Sequence, residues 1–222
     1  MAGQPYRLDL MRQIPKVGVI RRWGNVMVKH MLLLATLSAA TTLSGNSIAL
    51  AGPLTDAAAQ AEKLAASGDA AKARDLLLKA MSDFSQTLPF AIGKAIFVSK
   101  QPTGYAMYQP RDGSVFKEGE SLISYIEPIG LSWKDAAEKG KLESHFTVDF
   151  DILNPKGDAL AGQKAFGDFT FTGYLRNQEI YSTLTIDVSG APAGDYVLRF
   201  HFNDVNSGKT ASVDQPFKIA GP

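Results

Sequence analysis

The sequence predicts a mainly β protein, an antiparallel β-sandwich over 89–222 preceded by a short α-helical hairpin over 52–88. Three observations predict it. Residues 145–152, 180–188 and 196–203 alternate apolar and polar side chains with a period of two, the pattern of strands buried on one face. Turn signals separate these runs at Asn154-Pro-Lys-Gly157, Pro192-Ala-Gly194 and Asn206-Ser-Gly208. Upstream, 55–86 is dense in Ala, Leu, Lys and Asp, mostly good helix formers.

The first fifty-one residues read as an export signal. Arg21, Arg22 and Lys29 supply a positive flank, and Met31–Leu43 is an apolar run of thirteen residues. At 1.5 Å per residue such a run falls short of a hydrocarbon core of about 30 Å, so no permanent span is expected after cleavage. Ala49 and Ala51 place small residues at the −3 and −1 positions, which puts cleavage before Gly52. Residues 1–26 are superfluous to the signal, since Met27 could itself open one. Arg21-Arg22 also allows a twin-arginine route. The expected destination is a bacterial periplasm or the exterior.

Removing 1–51 changes the charge balance. The remaining 171 residues carry 17 Lys/Arg against 21 Asp/Glu. A mildly acidic chain lacks the clustered cations that phosphate neutralisation requires, so nucleic acid is not an expected partner. The sequence contains no cysteine. Thiol catalysis, disulfides and a lipid anchor at Gly52 are therefore excluded, and the core has to hold by packing.

The helical stretch divides at Ser67-Gly-Asp69 into helices over about 55–66 and 69–86, with Gly68 ending the first and Asp69 capping the second. Ala73, Leu76, Leu77, Ala80, Met81 and Phe84 follow helical spacing and predict a face packed on the sandwich. The run Ala61–Ala80 resembles one tetratricopeptide-type helix pair without a second copy. Pro89 closes the segment. Further strands are expected at 94–99, 104–109, 121–127, 166–172 and 209–219.

Gly194-Asp-Tyr196-Val-Leu198 resembles the start of the penultimate strand in immunoglobulin-like and fibronectin-type domains. That resemblance implies a tyrosine corner, with the Tyr196 ring in the core and its hydroxyl bonded to upstream backbone. The chain departs from antibody domains at Leu198, where their cysteine would stand. The segments 108–127 and 191–198 also resemble uncharacterised exported bacterial proteins, which carries no activity with it.

Motifs of known chemistries are sparse. There is no His-Glu-x-x-His, Gly-x-Ser-x-Gly or phosphate-cradling glycine loop. No metal or cofactor is expected, although His145, Asp149 and His201 share strand faces that could present ligands. Asp149 and Asp151, about 6–7 Å apart on one strand face, suggest a carboxylate pair for envelope polysaccharide hydrolysis. Tyr105, Tyr108, Tyr125, Trp133, Tyr174 and Tyr181 suggest a stacking platform for sugars. Trp133 and the polar loop with Tyr174, Arg176, Asn177 and Glu179 are the leading binding candidates, because loops on rigid sandwiches carry recognition. The expected function is a non-catalytic module that binds a periplasmic protein or envelope polymer. A carbohydrate-binding module and a carboxylate-dependent hydrolase are the alternatives.

Overall fold

The computed structural model describes residues 52–221. The export signal, including Ala49 and Ala51, lies outside the described residues. Two helices come first, α1 (Pro53–Ala66) and α2 (Ala70–Ser85). Pro53 begins α1 and Gly52 caps it without a side-chain bond. A proline suits this first position because its missing N–H would be unpaired there anyway. Asp69 caps α2 by accepting from the Lys72 backbone N–H, and Gly68 turns the chain at φ +87°.

The rest is β. The strands are β1 (Ala91–Phe97), β2 (Val115–Phe116), β3 (Leu122–Ile129), β4 (Lys134–Asp135), β5 (Leu142–Leu153), β6 (Ala159–Gly173), β7 (Ser182–Ile186), β8 (Gly194–Asp204) and β9 (Thr210–Ile219). They form a small sheet ordered β1-β3-β7 and a large one ordered β2-β9-β8-β5, with β6 flanking β5 and β4 pairing its first residues. All pairings are antiparallel except β2 with β9.

One core joins the curled sheets. Phe146, Val148, Phe150 and Ile152 of β5 are buried with Leu198, Phe200 and Phe202 of β8, and Leu122, Ile126, Leu184 and Ile186 meet them from the small sheet. Phe150 and Phe200 are at most 1% exposed, so the period-two pattern does point inward. Tyr196 stacks on Phe217 at 5.4 Å and donates its hydroxyl to the Pro192 carbonyl at 2.7 Å. Removing that hydroxyl by Tyr196→Phe is expected to cost about 1 kcal/mol in denaturant unfolding. An unchanged midpoint would show that the bond contributes nothing.

Four sequence expectations need correction. Residues 104–109 form a turn rather than a strand, with only a Gly104–Met107 bridge and Ala106 at φ +57°. Pro102 and Gly104 break the extended run, and the segment straps the outer face of the small sheet. For that reason β7 is buried on both faces, not half-buried: Thr183 and Thr185 are each 9% exposed, and Gln101 donates to Thr185 at 3.0 Å. The strand expected at 166–172 starts at Ala159, because Asn154–Gly157 closes a long hairpin whose register slips between Val148 and Phe150. The apolar face of α2 does not pack on the sandwich either. Ser82 and Ser85 are buried on α2, while Leu77, Met81 and Phe84 are 42%, 48% and 42% exposed.

Candidate functional site

The hairpin carries an open apolar groove. Ala61 and Ala73, small residues toward the closed end, are buried. Toward the other end the helices bound a wedge of about 540 Å³, with Leu54 and Ala57 on one wall and Leu76, Ala80 and Phe84 on the other. Lys79 and Asp83 stand on its rim and pair at 2.5 Å. The Lys79 hydrogen bond holds the Asp83 carboxyl below its ordinary range, aided by the charge of Arg176. Sequence spacing revealed the stripe but not its direction, since periodicity alone does not say what a face meets.

The polar loop after β6 is fastened to this hairpin. Arg176 reaches Asp83 at 3.1 Å, and the Asn177 side chain accepts from the Glu179 backbone N–H at 2.9 Å. Trp133 is half-buried against the core. Trp133 and Asn177 also line a cleft of about 30 Å³ beside Ser85 and Leu131, about the size of one water. Gln86 donates to the Leu131 carbonyl at 3.3 Å across the same junction. Tyr174 stands apart, 72% exposed, with the Lys141 ammonium 5.4 Å from its ring centroid. Glu179 is exposed. The structure thus gathers Trp133, Arg176 and Asn177 near the hairpin and leaves Tyr174 and Glu179 in solvent.

The tyrosines named from sequence divide similarly. Tyr125 is fully buried between Tyr108, at 4.4 Å, and Tyr181, at 5.3 Å. Its hydroxyl donates to Glu127 at 2.8 Å and accepts the Ala106 backbone N–H at 2.9 Å. Burial, with Glu127 beside them, pushes the Tyr105 and Tyr125 hydroxyls up, so both stay protonated donors. Lys94 closes the cluster, donating to the Tyr108 hydroxyl at 2.9 Å. These rings fasten the strap to the sheet, and two faces of Tyr125 are spent on its neighbours.

On the large sheet's outer face the carboxylates are engaged in pairs. His145 meets Asp168 at 2.7 Å, His201 meets Asp151 at 2.9 Å, and Lys164 meets Asp149 at 3.1 Å. Among the described residues no group of three His, Cys, Asp or Glu is placed to hold a metal ion. His145, Asp149 and His201 therefore do not converge. Burial tends to raise the Asp149 carboxyl, but the Ala165 backbone N–H, Lys164 and Asn203 outweigh it and hold it below the ordinary range. A glycosidase acid needs the opposite shift. Asp151 borders an open groove of about 400 Å³ beside Ala159–Lys164, and its carboxylate is bound to His201.

Among the described residues no helix is long and apolar enough to cross a membrane. No family model and no characterised protein sequence matches the chain. Among solved structures, the chain is similar to a family 123 glycoside hydrolase from Clostridium perfringens, at 14% identity and a TM-score of 0.33, over 58% of this chain and 27% of that one. It is also similar to an alkylpurine DNA glycosylase from Pseudomonas fluorescens, at 11% identity and a TM-score of 0.27, over 69% and 39%. The chain spans well under half the length of either.

Proposed function

We propose that the chain is an exported, non-catalytic binding module of a bacterial cell envelope, with the hairpin wedge as its contact surface for a protein partner. One observation carries this reading: Leu54 and Phe84 are exposed on the lining of a preformed apolar wedge, and Leu77 and Met81 are exposed on the same helix as Phe84, on a hairpin tethered to the sandwich. Contiguous apolar surface rimmed by charge marks interaction sites. Such a lining suits apolar side chains of a protein better than hydroxyl-rich polysaccharide.

The scaffold we read as immunoglobulin-like. The order β1-β3-β7 facing β9-β8-β5-β6 supports it, since it parallels strands A-B-E facing G-F-C-C′ of that architecture. Export to the periplasm or exterior is supported by the leader pattern before Gly52.

A photo-crosslinking residue at Met81 of the full chain, expressed in a bacterial envelope, tests the reading. We expect one discrete adduct from Met81, none from Lys156 on the far turn, and loss of the adduct with Ala80→Asp in the wedge. The purified protein should begin at Gly52. Equal labelling from both positions would remove the hairpin as a binding site, and a cytoplasmic, uncleaved product would remove the export reading.

A further inference from the structure

We infer that the open edge of β9 is a docking site for an extended peptide, which adds to the large sheet as one more strand. Hydrogen-bond parity defines the edge. Lys218 N–H donates to Ser114 O at 2.9 Å and Ala220 N–H to Phe116 O at 2.8 Å. Even-numbered residues of β9 therefore turn their backbone groups away from β8. The β2 strand pairs only with Lys218 and Ile219. Upstream of it, Thr210, Ser212 and Asp214 turn both N–H and C=O outward, and among the described residues no strand pairs with them on that side. Pro216 marks the border, an outward position with no N–H to offer.

A second, independent feature lies beside this edge. Residues 95–97 of β1 and 214–216 of β9 flank an open groove of about 390 Å³. Gln215 lines it at 5% exposure, and its Oε1 has no hydrogen-bond partner among the described residues. A buried acceptor left without a donor is destabilising, so a ligand that supplies the donor gains by it. On an added strand, side chains over Gln215 share its face, so a serine or threonine hydroxyl there would supply the donor. Nearby charges are already matched, Asp214 with Arg199 at 2.6 Å and Arg111 with Glu120. Recognition at this edge is by main chain and one polar side chain, not by net charge. The edge of β1, by contrast, is bulged between Ile92 and Lys94, and the chain just past the strap covers its end through Arg111 N–H to Phe97 O at 2.9 Å.

This site is distinct from the hairpin wedge, and either can fail without the other. The probe is a fluorescein-labelled decapeptide alternating Val and Ser, titrated into the full chain. We expect saturable binding that weakens at least about tenfold, or 1.4 kcal/mol, when alternate peptide amides are N-methylated. Ser212→Pro removes an outward N–H while leaving the β8 ladder intact, and should weaken binding equally. Should that variant fail to fold, amide exchange of the unaltered chain decides: the peptide should slow Thr210, Ser212 and Asp214. No saturable binding at millimolar peptide, undiminished binding of the N-methylated probe, or protection confined to other strands overturns the inference.

Discussion

Gly130→Ala is expected to destabilise the protein by about 3 kcal/mol and to loosen the hairpin from the sandwich. Gly130 follows β3 with φ +70°, a left-handed conformation that costs a residue with a Cβ about 1–2 kcal/mol. The added methyl would also collide with the Pro89 carbonyl oxygen, and would lie 2.8 Å from the Pro89 carbonyl carbon and 3.1 Å from Leu88 O. Those are backbone atoms, which cannot swing aside as a side-chain tip would, and overpacking of this kind adds about 1–3 kcal/mol. The collision lies where the chain leaves α2, next to the bond from Gln86 to Leu131. Gly157→Ala is the control. Its φ is +90° but nothing lies within 4 Å of the new methyl, so only the backbone strain of about 1–2 kcal/mol applies. Denaturant unfolding of both variants measures the difference. Equal losses would show that the approach to Pro89 contributes nothing.

Asp204→Ala is expected to cost about 4 kcal/mol, seen as a fall of roughly 10 °C in Tm. Asp204 ends β8 and is 1% exposed. Its carboxylate accepts from Ser132 N–H at 2.9 Å, the Ser132 hydroxyl at 2.6 Å, Asn206 N–H at 3.0 Å and the Ser207 hydroxyl at 2.8 Å. It thereby ties the loop after β3 to the β8–β9 turn. Alanine would take the shared acceptor from these part-buried donors, a loss of up to about 1–3 kcal/mol each before water and relaxation offset it. Asp204→Asn keeps one carbonyl oxygen and should recover roughly half of the loss. Thermal melts of the three proteins check the order. A melt of Asp204→Ala within about 2 °C of the parent, or Asn no better than Ala, would refute the assignment.

These two residues show what sequence reasoning reaches. The strands of the large sheet were legible because Phe146–Ile152 and Tyr196–Phe202 alternate cleanly, and alternation reports burial of one face directly. The hairpin was legible from Gly68 and Asp69. The strap over 99–109 was not, because its tyrosines read as strand and its role is set by Tyr125 and Glu127, which are distant in sequence. Asp204 reads as an ordinary acid at a strand end, since only the folded chain brings Ser132 to it. The α2 stripe was visible as a stripe, but Leu77, Met81 and Phe84 carry no mark telling an inward face from an outward one. Among the loop candidates, Arg176 was singled out for polarity, whereas its partner Asp83 lies ninety-three residues away.

The parallel contact of β2 with β9 has a consequence for assembly. Two bonds, from Lys218 to Ser114 and from Ala220 to Phe116, join segments about a hundred residues apart, and such distant closures are slow to form. During synthesis from the N-terminus this seam stays unzipped until β9 has been made. The strands made earlier can pair before this latch exists, and its closing marks the completed large sheet.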